Sequence, residues 1–104
     1  EWLRKIFSGE KTIEIRNSYK NVLGRVYLCQ SGTSKVFGYA EVVRVEGPLS
    51  KGRWAYLRRW HRVPGGRLYG ERTYAWELNG VVELKCPVPI RRKHGSIGIQ
   101  LGPG

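Results

Sequence analysis

Within eight residues, Gly9 to Arg16 (GEKTIEIR), the chain passes from helical spacing to strand alternation. That passage sets the terms for the rest of the fold. Upstream, Glu1 to Ser8 places Trp2 or Leu3 and Ile6 or Phe7 at helical spacing. Gly9 then supplies the stop, because glycine readily takes the left-handed conformation that closes a helix. Downstream, Thr12 to Arg16 reads as the first strand, and successive side chains of a strand point to opposite faces. Ile13 and Ile15 are therefore expected to face a core, and Thr12, Glu14 and Arg16 to face away from it. With Lys11 at the joint, that second face gathers two cations, a hydroxyl and a carboxylate. Arginine grips a phosphate in a bidentate fork and lysine acts as a point charge, so the set suits an anionic or multiply hydrogen-bonding ligand. The alternative is a Lys-Glu-Arg ion-pair network that braces the helix against the sheet.

The later segments are short and punctuated by glycine and proline. Arg25 to Ser31 reads as a strand with Val26, Leu28 and Gln30 on one face, followed by a tight turn at Ser31-Gly32-Thr33-Ser34. Val36 to Val45 is a long strand with Gly38 as a bulge or bend, ended by Gly47-Pro48. Lys51 to Trp60 reads as one helix with Ser50 as its N-cap, and Val63 to Gly70 as a loop. Tyr74 to Leu78 and Val81 to Lys85 read as strands joined in a hairpin at Asn79-Gly80. Pro87 and Pro89 mark an edge or crossing segment, and Ser96 to Leu101 alternates as a closing strand. The expected fold is mainly β with short helices: a small barrel of five or six strands, one helix at the N-terminus and one mid-chain. With 104 residues and no repeat or linker, residues 1–104 are expected to form a single domain.

Charge narrows the partner. Nineteen Lys and Arg against eight Asp and Glu leave +11, beyond what solubility requires, and point to a polyanion. With 40% hydrophobic residues the chain is nonetheless expected to fold rather than remain disordered. No long amphipathic helix, membrane span or signal-peptide pattern is present, so nucleic acid is favoured over a membrane surface and an intracellular setting, cytoplasmic or nuclear, is expected. Methionine is absent even at position 1, so the chain is expected to be trimmed or a piece of a larger protein or assembly. Cys29 and Cys86 lie far apart in apolar surroundings and read as buried free thiols. No close Cys or His pair supports zinc, and no metal or cofactor is expected.

Basic residues concentrate between Lys51 and Arg72, where Lys51, Arg53, Arg58, Arg59, Arg62, Arg67 and Arg72 face one acid, Glu71. On a helical wheel Trp54, Leu57 and Trp60 share one side as core, while Lys51, Arg58, Arg59 and Arg62 gather opposite and Arg53 falls on the wrong side. A solvated arginine face is what a nucleic-acid backbone needs. Arg91, Arg92 and Lys93, next to His94, form a second cluster that either contacts the same backbone or solubilises a loop. Aromatic residues for stacking on bases are sought at Tyr69, Tyr74 and Trp76, near strand ends and loops.

Gly9, Lys11, Glu14 and Arg16 match the G-x-K-x-x-E-x-R signature, and in this the chain resembles the ASCH domains (activating signal cointegrator homology), a branch of the PUA-like superfamily. The likeness continues through Gly24 to Thr33, Phe37 to Val45, Tyr74 to Leu78 and Pro87-Val88-Pro89, covering nearly the whole chain. It implies a PUA-like barrel. It also implies a role in RNA binding or modification, with a nucleotide held in a cleft between barrel and first helix by Lys11, Thr12, Glu14, Arg16, the turn Ser31-Gly32-Thr33, and stacking from Trp76. Lys51, Arg58, Arg59, Arg62, Arg67, Arg91, Arg92 and Lys93 would hold the backbone. Family members usually carry a strand before the first helix, and here the chain opens inside that helix.

The resemblance also raises an enzyme as rival. Some members are described as ribonucleases, and small bacterial ones as amidohydrolases of acylated cytidines, whose lysine is followed three residues later by a nucleophilic threonine. Here Lys11 matches, but Glu14 occupies the nucleophile position, and a carboxylate cannot stand in for an alkoxide attacking an amide. Metal-independent RNA cleavage is the remaining enzymatic reading, with Lys11, Glu14 or His61 moving protons and Arg16 steadying the phosphate. A third reading is a protein-interaction domain. A nucleic-acid-binding module, for RNA before DNA, is the expectation carried forward.

Overall fold

A computed structural model describes residues 2–17, 23–30, 32–89 and 98–101. Helix α1 (Trp2–Ser8) buries Leu3 and Ile6. Gly9 ends it at φ +87°, its N–H donating to the Ile6 carbonyl while the Lys11 N–H reaches back to Lys5. The chain then enters β1 (Ile13–Arg16), followed by β2 (Gly24–Gln30) and β3 (Lys35–Glu46). Two short helices, α2 (Lys51–Tyr56) and α3 (Arg58–His61), and a 3-10 turn at Gly70–Arg72 lead into β4 (Tyr74–Pro89), and β5 (Gly98–Leu101) closes the order. Ser50 caps α2, its hydroxyl accepting from the Arg53 N–H. The single helix expected over Lys51 to Trp60 is interrupted at Leu57, whose N–H bonds to Arg53 and whose carbonyl takes the N–H groups of both Trp60 and His61.

The strands form one sheet in the order β1-β4-β3-β2-β5, antiparallel except for the β2–β5 pair. Among the described residues β1 and β5 are outer strands with no pairing between them, so the sheet is open rather than the closed barrel expected. Asn79-Gly80 departs from expectation as well. β4 runs through it without turning, and both halves pair with β3: Glu41 opposes Asn79, while Tyr39 opposes Val82. One extra residue on β4 makes a bulge, with Gly80 in the left-handed conformation at φ +59°. The backbone demand that favours Asn-Gly in a hairpin turn is the same one that a bulge makes.

Two hydrophobic clusters lie on opposite faces of the sheet. One packs Leu3 and Ile6 of α1 on Val26, Leu28, Ala40, Val42, Trp76 and Leu78. The other packs Ile13, Ile15 and Ala75 against Leu49, Trp54, Leu57 and Val63. Strand β1 is consequently covered on both sides, which decides the character of its polar residues. Elsewhere Cys29 is buried as expected, but Cys86 is exposed, on the part of β4 beyond the α1 cluster. Gln30, expected to share the inner face of Val26 and Leu28, is also exposed, because a register shift between Leu28 and Cys29 turns the strand's end outward.

Gly38 bends β3 as expected, and the close packing there yields a testable consequence. A Cβ at Gly38 would overlap the Val82 carbonyl oxygen and stand 2.6 Å from the Phe7 ring. Neither the paired backbone of β4 nor the ring wedged under α1 can retreat cheaply. Gly38→Ala is expected to cost about 3 kcal/mol and to lower Tm by roughly 10 °C or more in a thermal melt followed by circular dichroism. A melt within a degree or two of the parent would show that α1 does not pack there.

Candidate functional site

The G-x-K-x-x-E-x-R residues converge, but in a buried setting. Lys11 is 0% exposed and Glu14 1%. The Lys11 ammonium donates to the His61 carbonyl at 2.5 Å, stands 4.0 Å from Glu14 Oε1, and lies 5.2 Å from the centre of the Trp2 ring. One cation thereby ties α1, the end of α3 and β1 together. Glu14 sits opposite Trp76 across the β1–β4 ladder, on the α1 side of the sheet, and its second oxygen is 3.8 Å from Arg16 Nη1. Arg16 is the member that meets solvent, 28% exposed, with its guanidinium over the Trp76 ring at 5.7 Å.

The expectation of an outward-facing, solvated Lys11 and Glu14 is thus corrected. Alternation placed Glu14 and Arg16 on one face, as observed, but that face lies under the α1 cluster. Thr12 leaves the set altogether. It precedes the ladder, with its N–H bonded to Trp60 and its carbonyl to the Leu78 N–H, and it lines a pocket on the opposite side of the sheet.

Burial dominates the electrostatics. It pushes the Glu14 carboxyl up to about 7 against the pull of Lys11 and Arg16. It likewise brings the Lys11 ammonium down to about 8, with Glu14 opposing and Lys5 adding to the fall. Glu14 Oε1 accepts no hydrogen bond among the described residues. A buried carboxylate oxygen left in that state is costly and calls for a reason.

His61 has a different role from the one considered. It is fully buried, stacked on Trp54 at 4.0 Å, with Nε2 donating to the Trp54 carbonyl and Nδ1 accepting from the Val63 N–H. Both nitrogens are engaged and one neutral tautomer is fixed. Burial lowers its pKa to about 4, the Trp54 hydrogen bond opposing and the Lys11 and Arg58 charges assisting. Such a ring braces α2 against α3 and leaves no nitrogen to move a substrate's proton.

The turn after β2 closes on itself: Gly32 is at φ +84°, and both the N–H and the hydroxyl of Thr33 donate to the Gln30 carbonyl. Gln30 borders a pocket of about 500 Å³ with Arg4, Phe7, Phe37 and Glu83, none of them signature residues. Ser31 lies outside the described residues, as do Arg91, Arg92 and Lys93.

Of the basic surface, Lys51, Arg58, Arg59 and Arg62 are exposed along α2, α3 and the residue after them. Arg58 bonds the Gly65 carbonyl and Arg62 the Glu10 carbonyl. Arg67 is half-buried, donating to the Leu49 carbonyl at 3.0 Å. Lys51, Arg58 and Arg67 converge on a pocket of about 420 Å³ bordered by Gly65, Gly66 and Gly70. Arg53, on the wrong side of the wheel, folds onto Glu46 in a bidentate pair at 2.5 and 3.0 Å. That pair holds the Glu46 carboxyl below its ordinary range.

A family model described as the ASCH domain matches residues 1–88. The chain belongs to the ASCH domain family. Its membership places it in the PUA-like superfamily and is consistent with a nucleic-acid-binding or RNA-binding module. No curated protein matches the chain. The ASCH signature residues Lys11, Glu14 and Arg16 are the ones that meet under α1. What sequence reasoning missed is the pair Tyr56 and Trp60, whose rings stand 5.5 Å apart on the other face of the sheet. The signal was available in their spacing of four on a helix, which puts two side chains on one face.

Proposed function

We propose that this ASCH domain binds single-stranded RNA, drawing the backbone onto the α2–α3 arginine surface and reading one nucleotide at Arg16 and Glu14. The observation that carries this reading is the Glu14 carboxylate, buried with one oxygen accepting no hydrogen bond among the described residues. A base edge bearing two N–H groups answers both carboxylate oxygens, the one that accepts no hydrogen bond and the one that Arg16 leaves. Arg16 is the point of entry, since it alone of the three charged signature residues reaches solvent. In this reading the guanidinium turns from Glu14 towards a ligand phosphate, and the base takes the place it leaves beside Trp76. Lys11 holds Glu14 in position without touching the ligand.

Counterion release makes binding of this kind steeply salt-dependent, with a log–log slope of about −0.7 per phosphate contacted on a single strand. Replacing Arg58, Arg59 and Arg62 by Gln removes three charges while keeping N–H donors for the Gly65 and Glu10 carbonyls. In fluorescence anisotropy with a labelled RNA oligonucleotide, that triple variant is expected to flatten the slope by about 2 and to weaken all sequences alike. Glu14→Gln is expected to leave the slope unchanged and to narrow the difference between bases. A parent protein whose affinity does not respond to salt would end the proposal.

A further inference from the structure

A feature left unused by the cleft lies on the opposite face of the sheet. Tyr56 is 53% exposed, and its ring meets that of Trp60 at 5.5 Å and 55°. The Arg59 guanidinium lies over both rings, at 5.5 and 5.1 Å. Beneath these rings a pocket of about 310 Å³ reaches the outer face of β1, β3 and β4, where Thr12 and Glu77 border it. Glu46 and Arg44, also on its wall, are ion-paired at 3.6 Å. Glu77 makes no ion pair among the described residues, and Thr12, half-buried, lines the same pocket.

We propose that this pocket is a second nucleotide site, taking a guanine base stacked on Tyr56 with its Watson–Crick edge on the Glu77 carboxylate. Each wall answers one part of such a ligand. An exposed tyrosine offers a π-face to a base, here on displacing one of the Arg53 and Arg59 guanidiniums that lie over the ring at 5.2 and 5.5 Å. A carboxylate offers two acceptors, and guanine alone among the four bases presents two adjacent donors, N1–H and the exocyclic amine. Adenine and cytosine put an acceptor next to their amine, and uracil flanks its single N–H with two carbonyls, so each meets a repulsion. Arg59 stands at the rim, where a phosphate would lie. The charge pattern disfavours peptides of either sign: Glu46 and Glu77 repel acidic ones, and Arg44, Arg53 and Arg59 repel basic ones. The site rests on the nucleic-acid reading of the domain but not on the Glu14 cleft, from which the sheet separates it.

The test is a titration of the isotopically labelled chain with GMP, AMP, CMP and UMP, followed by amide and indole NMR shifts. GMP is expected to move Thr12, Tyr56 and the Trp60 indole, about tenfold more tightly than the other three. Tyr56→Ala is expected to weaken GMP about tenfold, and Glu77→Gln to abolish the preference for guanine without abolishing binding. Both side chains are exposed, so Tm is expected to hold. No shift at these residues, equal response to all four nucleotides, or tighter saturation of the same signals by a neutral aromatic peptide would overturn the assignment. Failure of the cleft reading would show separately, as silence at Glu14 and Trp76.

Discussion

Lys11→Ala is expected to destabilise the domain by about 3–5 kcal/mol, the range for removing one partner from a buried ion pair. The ammonium is fully buried and answers three groups at once: the His61 carbonyl, the Glu14 carboxylate and the face of Trp2. Its removal leaves a carbonyl without its donor and a buried carboxylate with Arg16 as its one ion-pair partner among the described residues. Replacing both charges by apolar groups of similar volume, as in Lys11→Met with Glu14→Leu, removes the desolvation cost along with the attraction. That double variant is expected to recover to within about 2 kcal/mol of the parent while losing base discrimination. Urea unfolding followed by tryptophan fluorescence measures all three proteins. A single variant within about 1 kcal/mol of the parent would show that the ion pair is not buried. The same logic means that a binding defect in Lys11→Ala reports on folding before it reports on ligand contact.

Glu14→Gln is expected to change the shape of the stability profile with pH, not merely its height. Glu14 titrates near 7 in the fold and at an ordinary 4.5 when unfolded. The native state therefore keeps a proton that the unfolded chain gives up, and this group's contribution falls as pH rises from 4.5 to 7, by on the order of 3 kcal/mol. His61 runs the other way. Its pKa is near 4 in the fold and 6.5 ordinarily, so the unfolded chain holds the extra proton and stability rises as pH climbs from 4 to 6.5, by a similar amount. The two slopes oppose each other, and the parent is expected to be nearly level between pH 4.5 and 6.5. Gln at position 14 removes one slope and uncovers the other. Its Tm should then climb by more than about 10 °C between pH 4 and 6.5. Glu46, whose carboxyl is lowered by Arg53, adds a loss below 4.5 in both proteins. Parallel Tm profiles for parent and variant would contradict a buried Glu14 whose pKa is raised.

These two experiments bear on the same cluster from different sides, and the base preference of Glu14→Gln separates bracing from reading. A lysine that only ties helices to a strand would give the first result with no effect of Glu14→Gln on base preference. A carboxylate kept for a ligand gives both. The buried pair is in either case an expensive way to hold α1 against β1, since a hydrophobic pair of the same volume would do it without desolvating two charges. That expense is the physical reason for looking to function at Glu14.

Much of this fold was legible because it follows local rules. Helical spacing in Trp2 to Phe7 and the stop at Gly9 gave α1 and its end. The hydroxyl of Ser50, three residues ahead of the Arg53 N–H, gave the start of α2. Alternation gave β1, most of β2 and nearly the full length of β3, and the lone glycine in β3 gave its bend. Grouping Glu14 with Arg16 on one face also followed from the period of two. Placing Thr12 with them failed because Thr12 lies just ahead of the ladder, where that period no longer applies.

The spacing of these residues alone determined which side chains are neighbours: a strand's period decides who shares a face, and a glycine decides where the backbone can turn left. Only the tertiary structure decided what covers each face. Packing of α1 on one side of β1 and of α2 and α3 on the other turned two surface-looking charges, Lys11 and Glu14, into a buried pair. The presence of β3 alongside both halves of β4 made Asn79-Gly80 a bulge instead of a hairpin. The approach of Tyr56 and Trp60 to Thr12 and Glu77 opened a pocket that no stretch of sequence contains. Burial is a property of the partner as much as of the residue: Lys11 is covered by Trp2, nearby in sequence, and by His61, 50 positions away.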